Sequence, residues 1–247
     1  MYENMSQVYD CLMEQDVDYL EWTRYIQKIL LKYNRKIKNV LDIGCGTGNI
    51  TIPLSEAGFN MSGIDLSDEM LSLADKKSFQ KKLKIRWLKG DITKYNINQK
   101  YDAIISCCDT LNYIVNIEDL YKVFKNIFNA INTNGVFLFD LNSYYRISKV
   151  YGNNVFTYTS NNINYIWENN YCEETKTNEY FLIFFIKNEE NNYYTRLEEI
   201  HYQRAYTKKN ILELLYKAGF KKVDVYSFNT LNKPIEADER IQYCALK

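Results

Sequence analysis

One stretch limits what this chain can become: Val40-Leu41-Asp42-Ile43-Gly44-Cys45-Gly46-Thr47-Gly48-Asn49. A short apolar run enters it, three alternating glycines form its middle, and a helical pattern of Ile50, Ile52 and Leu54 leaves it. The pattern predicts a strand, a tight turn and a helix. Glycine accepts a positive φ and lets a ligand approach with no Cβ in the way. A helix beginning there leaves free N–H groups and a partial positive charge at the turn. Open α/β sheets place ligands at the carboxyl ends of their strands, so the stretch predicts a nucleotide-sized binding site.

The same alternation continues downstream. Asn60 to Ile64 reads as a second strand that delivers Asp65, and Ser67 is the N-cap of the next helix, with Asp68 and Glu69 in its first turn. Ile85 to Leu88 reads as a third strand, ending in Gly90-Asp91-Ile92. Tyr101 to Ser106 reads as a buried fourth strand, followed by Cys107-Cys108-Asp109-Thr110-Leu111-Asn112-Tyr113. An amphipathic helix from Glu118 to Ile131, terminated by Asn134-Gly135, precedes a fully apolar fifth strand, Val136 to Asp140. Five alternations imply a parallel sheet with helices on both faces.

The pattern then changes. Residues 153–206 lack a helical period and carry β-rich runs punctuated by Asn and acidic clusters. They predict three or four antiparallel strands, a flap whose open edge also suits a subunit interface. A helix from Thr207 and two strands, 222–228 and 240–246, close the chain. Residues 1–35 read as helical, with Tyr19, Trp22, Ile26, Ile29 and Leu30 on one face. The expected fold is α/β: a Rossmann-like, seven-stranded sheet with helices on both faces and a small antiparallel β flap after strand five. The expected organisation is one domain over residues 1–247, with a core at 36–145 and 207–247, a helical lid at 1–35 and the β insertion at 153–206.

Composition narrows the partners. Lys+Arg and Asp+Glu both number 31, so no net basic charge argues for nucleic acid. The cationic run Lys81, Lys82, Lys84, Arg86, Lys89 reads as a solvated helix end and strand edge rather than an RNA-facing patch. The amino terminus lacks the basic start and apolar core of a signal peptide, and no apolar run is long enough to span a bilayer. Six cysteines without a Cys-x-x-Cys pair read as reduced thiols, not metal ligands, in a cytoplasmic protein.

The ligand follows from the glycine spacing. Dinucleotide sites use Gly-x-Gly-x-x-Gly, whereas here the spacing is Gly44-x-Gly46-x-Gly48 with Asp42 two residues ahead. A carboxylate there repels a pyrophosphate and suits a cationic ligand, which disfavours NAD. The stretch resembles the Asp/Glu-x-Gly-x-Gly-x-Gly motif of class I S-adenosylmethionine-dependent methyltransferases. Asp65, seventeen residues past Gly48, stands where that family's acid takes the ribose hydroxyls. Asp91 stands where an acid accepts the adenine amino group, with Ile92 against the ring. Cys107 follows strand four, where backbone carbonyls take the cofactor's amino group. The resemblance implies S-adenosyl-L-methionine as cofactor, contacted by Tyr9, Asp42, Gly44, Cys45, Gly46, Asp65, Leu66, Met70, Asp91, Ile92 and Cys107. It puts Trp22, with Tyr19, and Asp109, Asn112 and Tyr113 on the substrate side.

The segment Tyr9-Asp10-x-x-Met13 and the flap resemble a bacterial small-molecule subgroup that includes amino-sugar N-methyltransferases. The implied reaction is in-line attack on the cofactor's methyl group by N or O of a small molecule, in a monomer or homodimer. The only histidine, His201, lies at the end of the flap, where it is expected to be either the proton acceptor or a structural residue. Two alternatives stay open: an RNA or protein methyltransferase, and a non-catalytic cofactor-binding protein.

Overall fold

The computed structural model describes residues 10, 13, 17–188 and 193–247. Helix α1 (Tyr19–Tyr33) starts at Asp18, whose carboxylate accepts the Glu21 N–H at 2.8 Å. There follow β1 (Asn39–Ile43), α2 (Thr51–Glu56), β2 (Asn60–Asp65), α3 (Asp68–Gln80), β3 (Arg86–Lys89) and β4 (Tyr101–Ser106). After a 3-10 turn at Thr110–Tyr113 come α4 (Ile117–Ala130) and β5 (Ile131–Asn142). A π-helical turn, Arg146–Tyr151, leads into β6 (Val155–Thr159), β7 (Ile163–Cys172), β8 (Thr177–Lys187) and β9 (Tyr194–Arg204). Helix α5 (Lys208–Ala218), β10 (Lys222–Ser227) and β11 (Arg240–Leu246) complete the described chain.

Seven strands form one sheet in the order β10-β11-β5-β4-β1-β2-β3, and β6 to β9 form a separate antiparallel sheet. Within the large sheet β11 is the antiparallel strand, pairing with both β5 and β10. The strand order reverses beside β1, between β2 and β4, which is where doubly wound sheets bind ligands.

Buried strands of this kind lack the apolar–polar alternation of half-exposed ones, because both faces are covered. Successive residues go to opposite cores. Leu41, Ile104, Phe137, Phe139 and Tyr243 pack under α4 and α5, whereas Val40, Ala103, Ile105, Leu138 and Cys244 pack under α1. Each such large side chain contributes about 1.5–3 kcal/mol of burial. A third cluster (Ile147, Tyr151, Tyr180, Ala205) seats the small sheet on the end of β5.

One boundary differs from the sequence expectation. Asn134-Gly135 does not terminate α4; the helix stops at Ala130, and Ile131 is already extended and paired with Tyr101. The ladder then shifts register before Ala103 pairs with Val136, and Asn134 takes a φ of 63°. The glycine is required inside that bulge, since a Cβ on Gly135 would lie 2.8 Å from the Asp102 carbonyl oxygen. The cationic run is largely partnered on the surface: Lys81 pairs with Glu56, Lys89 with Asp68, and Arg86 donates to Gln99.

Candidate functional site

The glycine turn is fastened to its neighbouring strand before any ligand arrives. The Gly44 and Cys45 N–H groups donate to the Ile64 carbonyl at 2.8 and 3.2 Å. Gly44, Gly46 and Gly48 have φ of 70°, 52° and 83°, all in the left-handed region that favours glycine. A Cβ on Gly44 would meet Thr110 Cγ2 at 2.3 Å, whereas one on Gly46 would meet nothing within 4 Å. The turn therefore keeps open space at Gly46.

Carboxylates stand at or just past the carboxyl ends of β1, β2 and β3. Asp65 Oδ2 accepts the Gly46 N–H at 2.8 Å, and its Oδ1 accepts the Ser67 N–H at 2.9 Å. Ser67 in turn caps α3 through the Met70 N–H. Asp42 is 2% exposed, and its Oδ2 accepts from Thr51 Oγ1. Its Oδ1 is buried and finds no hydrogen-bond partner among the described residues. Burial pushes the Asp42 carboxyl up to about 7, against the Thr51 hydrogen bond and with the help of nearby Asp65 and Asp140. Asp91 closes a turn on the Thr93 N–H and Oγ1. Partial burial there works upward, but the hydrogen bonds from Thr93 and Lys94 outweigh it and hold Asp91 below the usual range. Ile92 is half-buried in the same turn, Met70, Cys45 and Cys107 are buried, and Leu66 is exposed. Burial pushes both thiols well up, so they stay neutral.

A second space opens beside the first, a chamber of about 820 Å³ between α1, the small sheet and the 229–239 loop. Trp22, Asp109, Tyr113 and His201 line it, and with them Cys108. Trp22 meets Phe228 edge-to-face at 4.7 Å. Tyr113 meets the His201 ring in the same way at 5.9 Å, and His201 Nε2 lies 2.8 Å from Glu199 Oε2. Cys108 and Asp109 both take positive φ, 58° and 50°. Such strain is characteristic of segments held in place for a function.

Asn112 does not reach the chamber. Its side chain is fully buried and spent on backbone: Nδ2 donates to the Asn142 and Arg204 carbonyls at 3.2 and 2.9 Å, and Oδ1 accepts the Asn142 N–H at 3.0 Å. The substrate-side expectation is corrected accordingly, because a polar residue at a strand end was equally able to bind ligand or scaffold. Asn112 fastens the small sheet to β5. Asn112→Leu is expected to lose about 2–3 kcal/mol by leaving those buried groups unpaired, measurable by urea unfolding. Tyr9 lies outside the described residues.

Several site residues went unrecognised in the sequence. Arg240, the first residue of β11, donates to Asp109 Oδ1 at 2.7 Å and to Asp140. Gln203 Nε2 donates to Asp109 Oδ2 at 2.7 Å, and Tyr180 donates to Gln203 Oε1 at 2.9 Å. Asp140 and Arg240 were visible as charges at the ends of apolar strands, a pattern that buried pairs produce. Asp10 accepts from Thr47 Oγ1 and Asn49 Nδ2 and pairs with Lys77 at 2.7 Å, so this side chain is fastened to the glycine turn.

A family described as a methyltransferase domain matches residues 40–135. The chain is similar over 99% of its length to a crystal structure of an S-adenosylmethionine-dependent methyltransferase from Clostridium acetobutylicum ATCC 824, with 37% identity, 98% of that chain covered and a TM-score of 0.91. It is 34% identical to YqeM of Bacillus subtilis (strain 168), a protein named as a methyltransferase, over 100% of this chain and 97% of that one. The sugar N-methyltransferase KedS8 from Streptoalloteichus sp ATCC 53650 shares the fold, at 13% identity, covering 97% of this chain and 92% of that one with a TM-score of 0.78.

Proposed function

This chain belongs to the class I S-adenosylmethionine-dependent methyltransferases, and we propose that it methylates a nitrogen or oxygen of a small molecule held in the chamber, by in-line displacement. The observation that carries the reading is the pairing of two spaces. A carboxylate-lined glycine turn at the strand-order reversal and an aromatic chamber meet at the segment running from Cys107 to Tyr113.

The residues present fit the cofactor. The buried Asp42 Oδ1, without a hydrogen-bond partner among the described residues, and the space at Gly46, which none of them fills, both suit a bound group. Asp42, Asp65 and Asp91 give a cation three carboxylates and offer acceptors to hydroxyl and amino groups. When bound, the cofactor supplies a methyl group already activated by a positive sulfur. The protein's remaining work is alignment and water exclusion. Trp22 and Phe228 close one side of the chamber, and the small sheet closes the other. His201, fixed against Glu199 and Tyr113, is positioned to take a proton from an acceptor that arrives protonated.

The direct test is to supply methyl-labelled cofactor together with a metabolite extract. Label in small molecules supports the reading, whereas label confined to RNA or protein, or no transfer at all, overturns it.

The titration of Asp42 gives a second, quantitative expectation. Its carboxyl is raised to about 7, so near pH 6 most of it is protonated and near pH 8 most is charged. A cationic ligand that needs the charged form should bind about tenfold more tightly at pH 8 than at pH 6, and should release a proton on binding at pH 6. Calorimetry in buffers of different ionisation enthalpy measures both. Asp42→Asn should abolish the pH dependence.

A further inference from the structure

The chamber holds two arginines, and the protein uses them differently. Arg240 is consumed by Asp109 and Asp140. Arg146 sits at the start of the π-helical turn after β5, a kind of turn that recurs at functional positions. Its guanidinium lies over the Tyr151 ring, 5.0 Å from the centroid. Its ion partner is Glu239, with Nε to Oε2 at 3.5 Å. That is longer than a charge-assisted hydrogen bond of about 2.7–2.9 Å. The Glu239 side chain is 51% exposed, so water screens the pair. Arg146 Nε is shielded from water and makes no hydrogen bond among the described residues.

The chamber's carboxylates are mostly occupied elsewhere. Asp109 is held by Arg240 and Gln203, and Asp18 caps α1. Asp238 accepts from Ser227 Oγ at 2.6 Å and from the Ile235 N–H at 2.9 Å. Glu21 is exposed. Of the two arginines, the one still open to a ligand is therefore Arg146. A guanidinium stacked on an aromatic ring is oriented in advance and loses little freedom on binding. The wall around it is aromatic, built from Tyr151, Trp167 and Tyr180.

We propose that the acceptor carries an anionic group, a carboxylate or a phosphate, beside an aromatic or apolar body, and that Arg146 binds this group in place of Glu239. The proposal rests on reading the chamber as the acceptor site. Glu239 is then a competitor for the guanidinium, which gives the two residues opposite expected effects.

The test uses the full chain saturated with S-adenosylhomocysteine. Benzoate, phenyl phosphate, benzyl alcohol and benzylamine are titrated in turn, read by ligand-detected NMR and by the fluorescence of the chamber tryptophans. At least one anion should bind about tenfold more tightly than benzyl alcohol or benzylamine, and the better of the two anions identifies the group. Arg146→Gln should remove that advantage, and Arg146→Lys should retain part of it, because lysine keeps the charge without the planar fork. Glu239→Gln should tighten anion binding by about threefold. If the pair only holds the fold together, both substitutions lower the melting temperature and the anion preference stays as it was. That result overturns the proposal, as does a preference for benzylamine. Binding of S-adenosylhomocysteine is measured in the same samples. Its failure would overturn the methyltransferase reading, whereas its success without an anion preference would overturn only this proposal.

Discussion

Arg240→Met should cost the fold about 3–5 kcal/mol, because it leaves the buried Asp140 and the partly buried Asp109 without their cation. Asp140 is 1% exposed, and the Asp109 N–H donates to its Oδ2 at 3.0 Å. In the intact protein Arg240 lies between the two acids and also covers Trp22 and Phe228, with Cζ 5.5 and 5.4 Å from their ring centroids. The methionine keeps most of that apolar contact, so the loss isolates the charge. For a chain of this size the melting temperature should fall by roughly 2–4 °C per kcal/mol, or about 6–20 °C in total.

The pH dependence fixes the sign. Burial pushes the Asp140 carboxyl up to about 6, with Arg240 opposing that shift and Asp109 adding to it. The folded protein therefore holds a proton there more firmly than the unfolded chain, whose carboxyl titrates near 4. This group's cost to stability is present above pH 6 and is relieved as pH falls from 6 toward 4. Without Arg240 the carboxyl rises further, so the gap between variant and wild type should narrow as pH falls from 8 to 5. Adding Asp140→Asn to Arg240→Met should recover part of the loss at pH 8. Urea unfolding at both pH values measures all three expectations. A loss below about 1 kcal/mol, or no recovery in the double variant, would mean that the buried cluster is worth little.

The same cluster marks how far the sequence could be read. The large sheet was legible because its strands are uninterrupted apolar runs ending in small or acidic residues, a pattern that few other folds accommodate. The glycine turn, Asp65 and Ser67 were legible because their roles are local, each set within about twenty residues. The four-stranded insertion was legible as β structure from its aromatic runs. Its attachment was not, because Asn112, Gln203 and Arg240 act across separations of 30 to 131 residues. The polar residues after β4 could each face ligand or scaffold. Only the folded chain distributes them, turning Asn112 inward to backbone and Asp109 and Tyr113 toward the chamber. Arg146 carried no sequence signal at all, since its placement depends on an extra residue per turn in the π-helical segment.

Gly46→Ala and Gly44→Ala should fail in different ways, and the difference tests the cofactor site. At Gly46 the backbone has a φ of 52° and a Cβ would meet nothing within 4 Å. The fold should lose only about 1–2 kcal/mol, the usual cost of a left-handed alanine. The affinity for S-adenosylhomocysteine should nevertheless drop by about a hundredfold or more, because a methyl group would stand where a ligand approaches the backbone. Gly44 has the opposite balance. With a φ of 70° and Thr110 Cγ2 at 2.3 Å from the built Cβ, Gly44→Ala should destabilise the protein by at least about 3 kcal/mol, from strain and overpacking together. Adding Thr110→Ala should recover only part of that, since Thr110 Cβ itself lies 3.0 Å away and the φ is unchanged. Thermal melts and calorimetric titration of the four proteins separate the two effects. Wild-type affinity in Gly46→Ala would remove the strongest reason for placing the cofactor on this turn. No neighbour among the described residues fills the space a Gly46 side chain would take, and Asp65 already holds its N–H, so beyond the modest demand of its φ the glycine is accounted for by what binds against it.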